Sequence, residues 1–167
     1  MEKKKQNQCN FKVGFGYDVH KLSENRKLIL GGKEISHDKG LEGHSDADVV
    51  IHSICDALLG AAGLRDIGFH FPDNSNEYKD IDSKIILSKT MKLIRKNGYE
   101  VGNIDVTVCL EKPKLKNYIP EMIDILSKTM NLPKDNISIK ATTTEKLGFI
   151  GREEGISASC VALIFKS

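Results

Sequence analysis

Asp18 and His20 stand two positions apart in the run FKVGFGYDVH, where extended backbone turns both side chains to the same side. One carboxylate and one imidazole so placed can share a metal ion. A third ligand is offered by His52, which lies in a stretch of helical periodicity with Asp48 four residues before it and Asp56 four after, on one helix face. Val49, Val50, Ile54 and Leu58 fall on the other side, so burying them turns the imidazole to a cleft. Either neighbouring carboxylate is then able to orient the second ring nitrogen. Two imidazoles and a carboxylate with an open fourth position are the arrangement by which zinc polarises a substrate oxygen. An Asp–His hydrogen bond and a solvated polar stripe are the plainer readings of the same residues.

Gly43-His44-Ser45-Asp46 comes just ahead of this helix and brings backbone N–H groups, a hydroxyl and an imidazole to a helix N-terminus. Phosphate is the natural guest there, and an ordinary N-cap the alternative. Thr142-Thr143-Thr144-Glu145 is similar in kind, with hydroxyl donors for phosphate oxygens and a carboxylate for a hard divalent cation bridging them; a β-branched strand end is the alternative. Lys112-Pro113-Lys114 and Arg152 add positive charge, which on loops is usually just solvated. The chain has no G-x-x-x-x-G-K-[ST] loop, no G-x-G-x-x-G fingerprint and no G-x-S-x-G elbow, which disfavours P-loop NTPases, Rossmann dehydrogenases and α/β-hydrolases.

The elements that must position these residues can be read from periodicity and punctuation. Phe11–Tyr17 alternates, and Leu28–Ile35 is apolar, so both read as strands. Ser45–Asp48 offers N-caps to a helix over Val49–Gly60. Gly63–Tyr78 has no sustained period and reads as a long loop, a lid or wall. Asp82–Asn97 is an amphipathic helix stopped by Gly98, followed by a strand over Ile104–Leu110. Pro120–Met130 is a third helix, and Ile137–Ala141 and Ile156–Phe165 are the last strands, separated by the polar Thr142–Gly155. Interleaved strands and helices indicate an α/β or α+β domain, helices packed on one face of a mixed sheet.

At 167 residues the chain fits a single domain, with Met1–Asn10 a polar, frayed lead-in and the domain running from Phe11 to Ser167. Hydrophobic residues at 40% suffice for a core. The 25 Lys+Arg against 23 Asp+Glu give a net charge of +2, too small a bias for a nucleic-acid binder. No apolar run approaches the ~20 residues of a membrane span, so a soluble intracellular protein is expected. Cys9, Cys55, Cys109 and Cys160 form no close pair, which leaves neither a zinc knuckle nor a redox motif, and they read as reduced thiols.

Taken together, Gly16-Tyr17-Asp18-Val19-His20, Gly43-His44-Ser45-Asp46-Ala47-Asp48, Asp56-Ala57-Leu58-Leu59-Gly60-Ala61-Ala62, Asp66-Ile67-Gly68, Phe71-Pro72-Asp73 and Lys140-Ala141-Thr142-Thr143-Thr144-Glu145-Lys146-Leu147-Gly148-Phe149 strongly resemble the 2-C-methyl-D-erythritol 2,4-cyclodiphosphate synthase family. The match runs from about Val13 to Phe165. It implies an enzyme of the non-mevalonate isoprenoid pathway, a phosphorus–oxygen lyase that cyclises 4-diphosphocytidyl-2-C-methyl-D-erythritol 2-phosphate and releases CMP. In that family the 2-phosphate attacks the β-phosphorus, so the protein's task is alignment and charge neutralisation.

Carried over by resemblance, Asp18, His20 and His52 match the zinc ligands, and His44 and Thr143 match residues credited with stabilising the transition state. Glu145 matches a ligand of a second divalent ion, magnesium or manganese. Asp66, Ile67, Gly68, Phe71, Pro72, Asp73, Asn74 and Ser75 match the loop holding the methylerythritol, beside Val19 and Ser45. Leu110, Glu111, Lys112, Pro113, Lys114, Leu115 and Lys116 with Ala141, Thr142 and Thr144 match the cytidine pocket. The family forms homotrimers with each active site between subunits, so Ala158, Cys160 and Ala162 are expected to pack closely around a threefold axis. Phe149 and Arg152 match positions near a central trimer cavity that in relatives can hold an isoprenoid diphosphate, and Ser159 departs from the acidic residue often found there. A cytoplasmic setting is implied in a bacterium, or a plastid-type organelle in a eukaryote. The same groups would also serve a zinc-dependent nucleotide hydrolase or, with a fourth protein ligand, a non-catalytic metal- or nucleotide-binding module, for which His70 is the stray candidate.

Overall fold

The computed structural model describes residues 10–72, 78 and 80–167. The expectations placed on residues 1–9 and on Asp73, Asn74 and Ser75 lie outside the described residues. The order of elements is β1 (Phe11–Glu24), β2 (Leu28–Leu30), β3 (Lys33–Ile35), β4 (Lys39–Leu41), α1 (Val49–Ala62), α2 (Ile67–His70), α3 (Ser83–Lys96), β5 (Tyr99–Cys109), α4 (Ile119–Met130), a 3₁₀ turn (Lys134–Asn136), β6 (Ile137–Thr142), α5 (Gly148–Gly151) and β7 (Gly155–Lys166).

Five strands form one sheet in the order β4-β1-β7-β5-β6, antiparallel except for the β5–β6 pair, whose crossover is α4. This is the mixed sheet expected. Predicted elements differ in places: the first strand does not stop at Tyr17 but runs to Glu24, so Asp18 and His20 lie on it and not on a connection after it. Leu28–Ile35 is a hairpin and not one strand, because Gly31 and Gly32 both take positive φ, as a two-residue turn of primed type requires. The loop after Gly63 contains α2, capped by the Asp66 carboxylate, which accepts from Phe69 N at 2.8 Å.

Alternation along β1 and β7 divides the sheet into two unlike faces. The inner face carries Gly14 and Gly16 on β1 and the fully buried Ala158, Cys160, Ala162 and Ile164 on β7, with α1 laid across it. Those residues are small because the helix backbone comes so close: a Cβ at Gly14 would stand 1.9 Å from the Ala57 carbonyl oxygen. Ala158, Cys160 and Ala162 therefore belong to the core of one chain. The expectation that they face a threefold axis is corrected by this alternation. The outer face instead presents Phe11, Val13, Phe15, Tyr17, Val19, Val161 and Phe165 to solvent, with Phe15 65% and Val13 63% exposed.

At the start of α1, the fully buried Asp48 accepts from Val50 N and Ile51 N, each at 3.1 Å, and from Gly31 N and Gly32 N of the hairpin at 2.9 and 2.6 Å. One carboxylate thus caps the helix and fastens the hairpin to it. Cys55 and Cys160 are buried, Cys109 is half-buried, and all three are free thiols; burial pushes Cys55 and Cys160 up to about 12. Among the described residues no helix is long and apolar enough to cross a membrane.

Candidate metal centre and active site

Asp18 and His20 leave β1 on its inner side, at the end of the strand where glycine no longer admits the helix, and His52 meets them from the first half of α1. Their donor atoms all lie within 4.8 Å of one another. Asp18 Oδ2 is 2.9 Å from His52 Nδ1 and 3.2 Å from His20 Nε2. Each imidazole is held from behind. His20 Nδ1 donates to the Glu42 carbonyl at 2.6 Å, while His52 Nε2 lies 2.9 Å from Ser83 Oγ and 3.2 Å from Ser45 Oγ. Burial opposes ionisation of Asp18, but the hydrogen bonds and charge of His20 and His52 prevail and hold its carboxyl well below the usual range. Burial likewise works against protonation of His20, and its Asp18 partner raises it above the ordinary histidine value.

The carboxylates expected to orient His52 do not reach it. Asp48 is committed to four backbone N–H groups, and Asp56 Oδ1 accepts from Ile67 N at 2.7 Å, positioning the start of α2. Nor is the N-terminus of α1 open to an anion. Asp48 occupies its donors, Ala47 N donates to Ser45 Oγ at 3.2 Å, and Asp46 N donates to the Ile81 carbonyl at 3.2 Å.

The Asp18, His20 and His52 side chains open into a cleft of about 480 Å³. Gly43, His44 and Ser45 line one side, and Ile67, Gly68 and Phe71 another, as the sequence led us to expect. Tyr78, Ile81 and Ile86 complete it and were not foreseen; Tyr78 packs edge-on to Phe71 with ring centroids 5.6 Å apart. Asp66 stands just outside as the cap of α2, and Pro72 follows Phe71. Val19 points to the opposite face of the sheet, 41% exposed, because it sits between two inward residues. His70, the stray metal candidate, hydrogen-bonds through Nε2 to the Leu64 carbonyl at 2.8 Å, and the only cluster of three metal-competent groups among the described residues is Asp18, His20 and His52.

The remaining site residues gather elsewhere. Leu110, Glu111, Pro113, Lys114, Leu115, Ala141, Thr142 and Thr143 line a second, smaller groove of about 70 Å³. Leu110 and Leu115 are buried and make its floor. Val19, Ser157, Cys109 and Thr142 are successive partners across β1, β7, β5 and β6, so the two sites are separated by three strand spacings, roughly 14 Å.

Of the threonine hydroxyls, Thr142 donates to the Thr143 carbonyl (3.1 Å), Thr144 lies 2.7 Å from the Leu147 carbonyl and 3.3 Å from Glu111 Oε1, and Thr143 donates to Glu145 Oε1 at 3.1 Å. Glu145 and Lys146 have positive φ, and Glu111 sustains that turn by accepting from Thr144 N at 3.0 Å and Lys146 N at 3.4 Å. Lys114 and Lys116 are exposed beside the groove, whereas Lys112 pairs with Glu153 (3.1 Å) and Arg152 with Glu154 through two bonds (2.9 and 3.0 Å). Phe149 is 39% exposed and flanks Gly155.

Three residues that hold the metal ligands escaped the sequence reading: Glu42, Ser83 and Asp46. Glu42 acts through its backbone carbonyl, which no side-chain pattern reports. Ser83 follows the cap Asp82 and looks like part of an ordinary helix start, and Asp46 looks like one more capping residue.

A sequence model of the YgbB family matches residues 11–165. A 2-C-methyl-D-erythritol 2,4-cyclodiphosphate synthase of Bacteroides fragilis is 65% identical over 153 residues, 92% of this chain and 96% of that protein. The bifunctional IspDF of Campylobacter jejuni superposes with a TM-score of 0.91 at 43% identity, over 94% of this chain and 42% of that one. IspF of Plasmodium falciparum, solved as a CDP complex, superposes with a TM-score of 0.83 at 36% identity, over 96% of this chain and 99% of that one.

Proposed function

The chain belongs to the YgbB family, and from that premise we propose that it converts 4-diphosphocytidyl-2-C-methyl-D-erythritol 2-phosphate to 2-C-methyl-D-erythritol 2,4-cyclodiphosphate and CMP. The observation that carries this reading is the Asp18, His20 and His52 triad at the cleft, in a chain 65% identical to a named synthase. In the reaction a 2-phosphate oxygen forms a bond to the β-phosphorus. The bond from that phosphorus to the bridging oxygen breaks, and its electron pair leaves with CMP.

Two imidazoles and a carboxylate, converging with one side open to the cleft, fit zinc. A zinc ion held by Asp18, His20 and His52 would supply Lewis-acid polarisation of a phosphoryl oxygen, and a second divalent ion, magnesium or manganese, held by Glu145 would neutralise diphosphate charge. The chain's own groups do the rest. His44 and Ser45 present donors beside the triad, and the Thr143 hydroxyl, which donates to Glu145 in the free chain, would turn to phosphate oxygens whose charge grows during transfer. Ile67, Gly68 and Phe71, with Asp66 fixing their helix, form the wall for the methylerythritol, and the groove of Leu110–Lys116 and Ala141–Thr144 takes the cytidine. Because these halves lie about 14 Å apart in one chain, the working unit is a homotrimer in which the groove of one subunit meets the cleft of its neighbour. The apolar outer face of the sheet supplies the surface for that assembly.

Phosphorus NMR of the purified protein with the cytidyl substrate, zinc and magnesium tests the reading. A cyclic diphosphate appearing with CMP is expected, whereas a linear methylerythritol bisphosphate with CMP would make the protein a hydrolase.

A further inference from the structure

Zinc on His52 Nδ1 requires the ring proton to be on Nε2, and the structure contains a device that puts it there. Ser83 is fully buried at the first position of α3, with both its donors turned to one carboxylate: Ser83 N donates to Asp46 Oδ2 at 3.0 Å and Ser83 Oγ donates to Asp46 Oδ1. A carboxylate only accepts, so the hydroxyl proton points to Asp46 and the Oγ lone pairs face His52 Nε2, 2.9 Å away. Nε2 must then be a donor, which leaves Nδ1, 2.9 Å from Asp18 Oδ2, as the ring atom that faces Asp18 and His20. Asp46 is itself fixed, its N donating to the Ile81 carbonyl at 3.2 Å. The second hydroxyl at Nε2, that of Ser45 at 3.2 Å, is a rotor able to donate or accept and selects neither tautomer.

We infer that Asp46 and Ser83 are positioning residues that fix the Nε2–H tautomer of His52 and thereby make its Nδ1 the metal-ligating atom. This rests on the metal centre proposed above. The relay has a directional signature that simple packing lacks. In Asp46→Asn two backbone donors compete for the one amide oxygen, Ser83 N at 3.0 Å from the Oδ2 position and Asp48 N at 3.4 Å from the Oδ1 position; the closer one wins, so the amide oxygen takes the Oδ2 position and the amide NH₂ is aimed at Ser83 Oγ. The hydroxyl then reverses and donates to His52 Nε2, forcing the proton to Nδ1, where it competes with the metal. Ser83→Ala removes the reversible hydroxyl and leaves the tautomer free.

The test is zinc affinity of the parent, Asp46→Asn, Ser83→Ala and the double variant, measured with zinc alone by chelator competition. Asp46→Asn is expected to bind about tenfold to a hundredfold more weakly than the parent. Ser83→Ala should lose less, and the double variant should return to the Ser83→Ala affinity, because without the hydroxyl there is nothing to reverse. Asp46→Asn binding within twofold of the parent, or a double variant weaker than Asp46→Asn alone, overturns the inference and leaves the metal centre standing. A parent that takes up no zinc overturns both. Should Asp46→Asn not fold, nitrogen-15 NMR of the zinc-loaded parent decides: a protonated, pyrrole-type Nε2 on His52 is required, and a protonated Nδ1 with the metal on Nε2 refutes the relay.

Discussion

Gly16 lies under Ser53 so closely that a Cβ there would stand 2.0 Å from the Ser53 carbonyl oxygen. Ser53 is the neighbour of His52, so this contact between strand and helix backbones sets how near the imidazole comes to Asp18. Gly16→Ala should push α1 off β1, destabilise the fold by about 3 kcal/mol and weaken zinc binding at the same time. Urea unfolding with zinc competition on one preparation checks this. An alanine variant with parental stability would mean that the helix position is not set here.

His52 is held by polar partners, the Asp18 carboxylate on one side and the hydroxyls of Ser45 and Ser83 on the other. His52→Ala is expected to lose most of its zinc and its turnover while keeping the parent's circular dichroism. Elemental analysis giving full zinc occupancy in that variant would contradict the ligand assignment.

Thr143→Val keeps the β-branched shape and removes only the hydroxyl. Where the assembled site excludes water, loss of one donor to developing charge costs about 10²–10³ in turnover. Zinc content should not change, since the triad is three strands away. Steady-state kinetics should show kcat falling far more than substrate affinity; a loss confined to affinity would make Thr143 a ground-state contact.

Phe15 sits mid-strand on the outer face and is 65% exposed, so Phe15→Asp should leave the chain folded while placing a charge in the proposed subunit interface. Sedimentation equilibrium is expected to give three chains for the parent and one for the variant. Zinc should stay bound, yet turnover should be lost, because cleft and groove no longer meet. A fully active monomer would remove the shared-site account.

The grouping of Asp18, His20 and His52 was legible in sequence because the two-residue spacing of Asp18 and His20 is a property of any strand, and the four-residue spacings around His52 are a property of any helix. Which groups support the ligands was not legible. Asp48 and Asp56 share the face of His52, but backbone donors distant in sequence claim them first, and Ser83 reaches the ring only through tertiary packing. Sheet polarity was harder still. Phe11, Val13 and Phe15 alternate as a buried face would, yet the helix needs the glycines and the alanines opposite them, so the large side chains are left facing outward. Sequence alternation identifies two faces and does not say which one the chain buries against its own helix. The pair Gly31-Gly32 was the readable sign that Leu28–Ile35 turns back on itself, and its left-handed φ values are the reason.

The central claim is that the phosphate of the substrate, and not water, attacks the β-phosphorus. Turnover of the cytidyl substrate in oxygen-18 water, followed by mass spectrometry of both products, tests it most directly. Intramolecular transfer forms its new bond from an oxygen already in the substrate, so neither the cyclodiphosphate nor CMP should carry solvent oxygen. One oxygen-18 atom in CMP or in a linear methylerythritol phosphate would show that water is the nucleophile and would contradict the account.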